Sequence, residues 1–171
     1  MGERTQFVAT LCVLYSAGDE TCLRTNLINE RNRTMQTFLP YNDFKKSAEC
    51  LDNKRLGKQR VEALQILKAI YIEDYGWKNH PAVKMWKEYP HALMLYMNAC
   101  IREWKDRGFK NTMQLAYEDS FTLLPDWLGN SKLHNSHKSN LLRKDGKYYA
   151  QYKWAVNSDL PYYWCGFGKG E

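Results

Sequence analysis

Apolar residues recur at helical spacing along most of the chain beyond residue 40, and strict apolar–polar alternation is scarce. Asn42 or Asp43 can cap a short helix running to about residue 51, and Asp52 or Asn53 can cap the next, running to about 74 before Gly76 stops it. Val61, Leu64, Leu67, Ile70 and Tyr71 form the expected buried stripe of that second helix. Glu62 falls just off the stripe, on the face that carries Lys58 and Ile66. Pro81 suits the first turn of a third helix, and Pro90 breaks or restarts it. Leu93, Met97, Cys100, Ile101 and Trp104 then recur at helical spacing, with Gly108 as a stop. Residues 124–129 read as a loop, and 136–144 and 147–154 as short helices. No internal repeat is visible. The pattern predicts a mostly α fold, a compact single-domain helical bundle with long loops.

Met35 marks a boundary in this pattern. Residues 29–34 are polar and charged, whereas Gln36-Thr-Phe-Leu-Pro-Tyr41 reads as a short extended lead into the first helix. We expect residues 1–34 to be an N-terminal extension that is weakly ordered or foreign to the domain, and 35–171 to be the domain itself. An internal methionine at such a shift can also be the translation start.

Charge follows the same division. The net charge of +6 lies wholly beyond residue 34, because residues 1–34 carry four basic and four acidic side chains. Residues 45–68 carry seven basic against three acidic side chains, and residues 130–153 carry six against one. Tyr148, Tyr149, Tyr152 and Trp154 lie in or directly beside the second cluster. Two basic clusters with aromatic residues favour a polyanionic partner, and nucleic acid is the reading adopted here. A solvated basic surface is the plainer alternative, and the aromatic run also reads as C-terminal packing rather than a base-stacking platform. The odd, scattered set Cys12, Cys22, Cys50, Cys100 and Cys165 contains no Cys-x-x-Cys pair, which argues against a disulfide framework and a structural zinc. A reducing cytoplasm is the expected setting. No apolar run reaches membrane-spanning length, and residues 7–17 lack the basic leader and cleavage site of a signal peptide.

The densest candidate chemistry is Leu51-Asp-Asn-Lys-Arg-Leu-Gly-Lys-Gln-Arg-Val-Glu62, a lone carboxylate on a helix behind Lys54, Arg55, Lys58 and Arg60. Such an acid can form a surface ion pair with Lys58. It can also stabilise positive charge developing on a sugar and later handle a proton, while the cations hold a phosphate backbone. His134 and His137 can share a helical face, but neither a zincin motif nor a cysteine partner accompanies them, so no metal site is assigned. His80, before Pro81, suits a helix start or a phosphate contact. Ser136 and Ser139 lie in no nucleophile-elbow context.

The segment from Leu51 to Glu62 resembles the catalytic region of the phage endonuclease V-type pyrimidine-dimer DNA glycosylases. His80 before a helix, the run Cys100-Ile-Arg-Glu-Trp-Lys-Asp-Arg-Gly-Phe109, the late polar helix and the Tyr- and Trp-rich tail follow in the same order. Met35-Gln-Thr-Phe-Leu-Pro-Tyr41 is similar to the start of bacterial relatives. The resemblance covers about residues 35 to 164. It implies a compact helical DNA-repair enzyme, needing no cofactor, that flips a base out of double-stranded DNA at a damaged site and cuts the glycosidic bond. In that family the free N-terminal amine attacks the sugar carbon, a Schiff base forms, a glutamate assists, and β-elimination nicks the strand. Glu62 matches the glutamate. The amine would be that of Met35 or Gln36, with a desolvated Lys54 or Lys58 as a further option. Arg55, Lys58, Arg60, His80, Lys138, Arg143 and Lys144 are the expected DNA contacts. The chain departs from the phage pattern where Val61 replaces an arginine before the glutamate and Gln65 replaces one after it, which leaves another modified base open as substrate. A monomer in a bacterial, phage or viral cytoplasm, without membrane contact, completes the expectation. A non-catalytic nucleic-acid-binding module and a metal-dependent nuclease using the histidines are the rivals.

Overall fold

The structure is a computed structural model that describes residues 35–165. Expectations for residues 1–34, including Cys12, Cys22 and the extension itself, lie outside the described residues. The helical unit comprises Gln36–Asn111 and the chain from Leu115 onward. Among the described residues there are six α-helices and no strand: α1 Phe44–Glu49, α2 Asn53–Tyr71, α3 Pro81–Trp86, α4 Pro90–Asp106, α5 Ser131–Lys144 and α6 Gly146–Tyr149, followed by a 3₁₀ turn, Ala150–Tyr152. The mostly α expectation holds. None of these helices is long and apolar enough to cross a membrane.

Local chemistry explains where the helices start. Asp43 Oδ1 accepts the Lys46 N–H at 2.6 Å and caps α1, and Asp52 Oδ1 accepts the Arg55 N–H at 3.1 Å and caps α2. Asn130 Oδ1 accepts the Lys132 N–H at 2.9 Å and starts α5 five residues earlier than the spacing predicts. Pro81 and Pro90 occupy the first turns of α3 and α4, where a missing N–H leaves no bond unmade. At the end of α4, Gly108 turns the chain out at φ +81°, a conformation that L side chains rarely adopt.

The core forms where α2 and α1 pack on α4, with α3 against α2 and α6 against α5. Trp86, Tyr96, Leu93, Met97 and Ile101 are fully buried there, each burial contributing about 1.5–3 kcal/mol of hydrophobic stabilisation. Arg107 fastens one corner: its guanidinium donates to Leu51 O at 2.7 Å and Glu49 O at 2.9 Å while pairing with Glu103 at 2.7 Å. It thereby satisfies carbonyls that α1 leaves open at its C-terminal end.

The buried face of α2 differs from the expected stripe. Leu56, Gln59, Glu62, Ala63, Ile66, Leu67 and Ala69 are inside. Of the predicted set only Leu67 is buried; Val61 is 45% exposed, and Leu64, Ile70 and Tyr71 are half-buried. The helix is rotated so that two polar side chains face inward, and their partners supply the reason.

Candidate active site

Residues 36–39 form neither helix nor strand, yet Gln36, Thr37, Phe38 and Leu39 are all buried. Buried main-chain polar groups need partners, and without a sheet these come from side chains. Gln59 Oε1 accepts the Phe38 N–H at 2.8 Å, and Gln59 Nε2 donates to Gln36 O at 2.8 Å. One amide thus replaces an adjacent strand. The Tyr96 hydroxyl lies 2.9 Å from Phe38 O and 2.8 Å from Gln59 Oε1. Trp86 Nε1 donates to Thr37 Oγ1 at 2.9 Å.

The two histidines of α5 complete the clamp. His137 Nδ1 accepts the Leu39 N–H at 2.8 Å, and His134 Nδ1 donates to Leu39 O at 2.7 Å. His134 Nε2 accepts the Gly129 N–H at 3.0 Å. Burial first, then the charge of its histidine neighbour, pushes His137 down to about 3, so the ring is neutral. A neutral ring that accepts at Nδ1 carries its proton on Nε2. The end of the Gln36 side chain lies 3.0 Å from that nitrogen, so Gln36 must present its amide oxygen there. The pair flagged by its spacing therefore holds main chain rather than metal.

Glu62 sits at the end of this segment, with its side chain only 6% exposed. Its carboxylate accepts Gln59 Nε2 at 2.6 Å and Lys58 Nζ at 2.9 Å, and the same Gln59 nitrogen holds Gln36 O, which places the Gln36 main chain beside the acid. Burial raises its pKa above the ordinary carboxylate value, and the bonds from Lys58, Gln59 and Gln36 only partly offset this. The expected Lys58 ion pair exists, but its acid is buried rather than on the surface.

Four of the seven expected DNA-contacting residues gather around this acid. Burial lowers the Lys144 pKa, and the cations Arg55, Lys58 and Arg143 lower it further, against the attraction of Glu62. These groups on α2 and α5 make one basic cluster. Within it Arg55 is committed internally, donating to Asp52 at 2.8 Å and to Lys144 O at 3.0 Å. The other three lie apart. Arg60 is about 200° around α2 from Glu62; its guanidinium lies 4.2 Å from the Trp104 ring and bonds Asn111 at 2.7 Å. Gly57 permits this approach, since a Cβ there would meet Trp104 at 2.9 Å. His80 caps α3 through the Ala82 N–H at 3.1 Å and contacts the rings of Trp77 and Trp164. Lys138 lies over Tyr41, 5.5 Å from the ring centre.

The C-terminal tail returns to the site. Ser139 Oγ accepts the Leu160 N–H at 2.9 Å and Ser136 Oγ the Tyr163 N–H at 3.2 Å. Asn140 and Arg143 donate to Leu160 O, each at 3.4 Å. One face of α5 so straps residues 158–163 in place. Burial raises the pKa of the half-buried Tyr162, on which Arg143, Glu62 and Arg55 also act. The Tyr148–Trp154 run, by contrast, packs internally. Tyr149 is fully buried with its hydroxyl 2.6 Å from Asp52, and Trp154 stacks on Tyr149 and Tyr152. Sequence reading missed Gln59, Tyr96 and Tyr162, and it noted His137 only as half of a metal pair. The available signal was polar residues on α2 and α5 in positions that an amphipathic helix buries.

No curated protein and no solved structure gives a significant match to the chain. The model of one family, pyrimidine dimer DNA glycosylase, matches residues 35–117. That span contains Gln36, Gln59, Glu62 and Tyr96, while α5 and the strapped tail follow it. Over residues 35–117 the chain is thus similar to the pyrimidine dimer DNA glycosylases, a family of DNA-repair glycosylases.

Proposed function

We propose that the protein removes a damaged pyrimidine, a pyrimidine dimer above all, and then cleaves the strand as an AP lyase. In this reading the reacting amine is that of Gln36, freed by cleavage of the Met35–Gln36 bond, and Glu62 handles protons. The observation that carries the reading is the buried Glu62 carboxylate, of raised pKa, joined through the Gln59 amide to the main chain of Gln36. The Met35 amine is the alternative, but the main chain that Gln59 holds beside the acid is that of the next residue.

An α-amine suits the task. Its pKa of about 7.7–8.0 leaves roughly a third of it neutral near pH 7.5, whereas an ordinary lysine is almost wholly protonated. The neutral amine attacks C1′ of the damaged nucleotide, and the glycosidic bond breaks with its electrons leaving on the base. The amine gives up one proton and the C1′–O4′ bond opens with its electrons on the ring oxygen, giving the protonated Schiff base. Removal of a C2′ proton then expels the 3′ phosphate oxygen. Glu62, with its raised pKa, can accept the amine proton and return it to the ring oxygen. Lys58, Arg143 and Lys144 supply positive charge for the phosphates on either side. The clamp on residues 36–39 fixes the nucleophile without relying on the bond to Met35, so the amine stays in register after cleavage.

Borohydride trapping on abasic-site DNA tests this directly. A protein beginning at Gln36 should form a covalent adduct, the full chain should not, and Glu62→Gln should lower base release about 10²–10⁴-fold while DNA binding survives. Absence of an adduct from the Gln36 form would refute the amine mechanism. A panel of dimer-containing and singly modified duplexes would then define the lesion.

A further inference from the structure

A freed N-terminal glutamine is chemically self-defeating. Its α-amine attacks its own side-chain carbon Cδ, the bond from Cδ to the amide nitrogen breaks, and ammonia leaves with a proton taken from the amine. The product, pyroglutamate, holds the nitrogen in a five-membered lactam whose lone pair is delocalised. Such a nitrogen cannot form a Schiff base.

Cyclisation requires the side chain to fold back so that Cδ reaches its own nitrogen. In this structure the two ends of Gln36 are held on different helices. The main chain is held on α2, where Gln59 donates to the Gln36 carbonyl at 2.8 Å and to Glu62 at 2.6 Å. The side-chain amide is held by His137 of α5 at 3.0 Å, and the residue is 2% exposed. His137 is itself fixed through the Leu39 N–H at 2.8 Å. The second amide atom of Gln36 is buried without a partner.

We propose that His137 is a positioning residue that keeps the side chain of Gln36 away from its own amine and so preserves the nucleophile against pyroglutamate formation. The inference rests on the reading of Gln36 as the reacting N-terminus, and it assigns α5 a protective task that the glycosylase reaction does not itself require.

The test uses protein released at Gln36 from an N-terminal fusion and incubated near neutral pH. Intact-mass spectrometry follows the loss of one ammonia. Folded protein should convert at least about tenfold more slowly than the same protein in denaturant. Tenfold is the rate equivalent of about 1.4 kcal/mol, the scale of one buried hydrogen bond. His137→Asn can keep an acceptor for the Leu39 N–H but does not reach Gln36, so it should convert about tenfold faster than the parent while still melting cooperatively. Equal rates in the folded and denatured parent would overturn the proposal, whether or not the variant folds. A folded His137→Asn that converts as slowly as the parent would overturn it too. An intact amine that gives no borohydride adduct would instead refute the nucleophile reading, so the two failures are distinguishable.

Discussion

Acidification should weaken the fold through His137 by an amount that can be worked out. Burial depresses its pKa from 6.5 to about 3, so the unfolded chain binds this proton more tightly than the folded one. The associated stability is complete above pH 6.5 and is lost as pH falls toward about 3. Between about pH 7.5 and pH 5 the loss is RT times the logarithm of the ratio of the two binding polynomials, or about 2 kcal/mol. This result barely changes if the folded pKa is a unit higher, because at pH 5 the folded ring remains neutral either way. For a chain of this size about 2 kcal/mol corresponds to roughly 4–8 °C in Tm. His134, also lowered by burial, acts in the same direction. Glu62 acts in the opposite one: its pKa is raised, so its contribution to stability declines as pH rises past the ordinary carboxylate value. The measurement is therefore a comparison. Urea denaturation at both pH values should show a loss for the parent that exceeds the loss for His137→Asn by about 2 kcal/mol. Equal losses, or a His137 ring that titrates near its ordinary pKa by NMR, would refute the reasoning.

Three further outcomes follow from named contacts. Lys58→Ala removes a cation 2.9 Å from Glu62, so the Glu62 pKa should rise further and the acidic limb of the kcat/KM profile should move to higher pH; an unmoved limb would dissociate that limb from Glu62. Trp86→Phe leaves Thr37 Oγ1 without its donor in a fully buried site and should cost about 1–3 kcal/mol by urea denaturation. Lys144→Ala should reduce the slope of log K against log salt by about 0.9 in duplex binding, with little loss of stability; Arg55→Ala should chiefly destabilise, because its guanidinium holds Asp52 and Lys144 O.

Helix punctuation was legible in the sequence because it is local. Asp43, Asp52, Pro81, Pro90 and Gly108 act through groups within a few residues, and the helices begin or end there. The inner face of α2 was not legible. Periodicity ranks positions by hydropathy, and Val61 and Ile70 outrank Gln59 and Glu62 on any such scale. What buries Gln59 is the unpaired main chain of residues 36–39, more than twenty positions away in the chain. The same limit applies to His134 and His137. Their shared face was visible, but their partner, both main-chain polar groups of Leu39, lies nearly a hundred residues earlier.

The burial of so many polar groups is costly unless each is paired, and here the pairing carries its own information. A segment entering the core could satisfy its main chain by joining a sheet or by continuing as helix. Residues 36–39 do neither and take their bonds from Gln59, Tyr96, Trp86, His134 and His137, which belong to four helices. A loop needed only for connection would lie on the surface, where water serves the same groups. Fixing this segment from four directions makes sense if the position of its first nitrogen matters, as the proposed mechanism requires, and Gln59 ties that residue to Glu62. On the proposed mechanism, stability and chemistry pull against each other at a single carboxylate. Glu62 is held buried at a raised pKa, which the fold would avoid if the acid were structural alone, and the clamp supplies the rigidity that keeps it there.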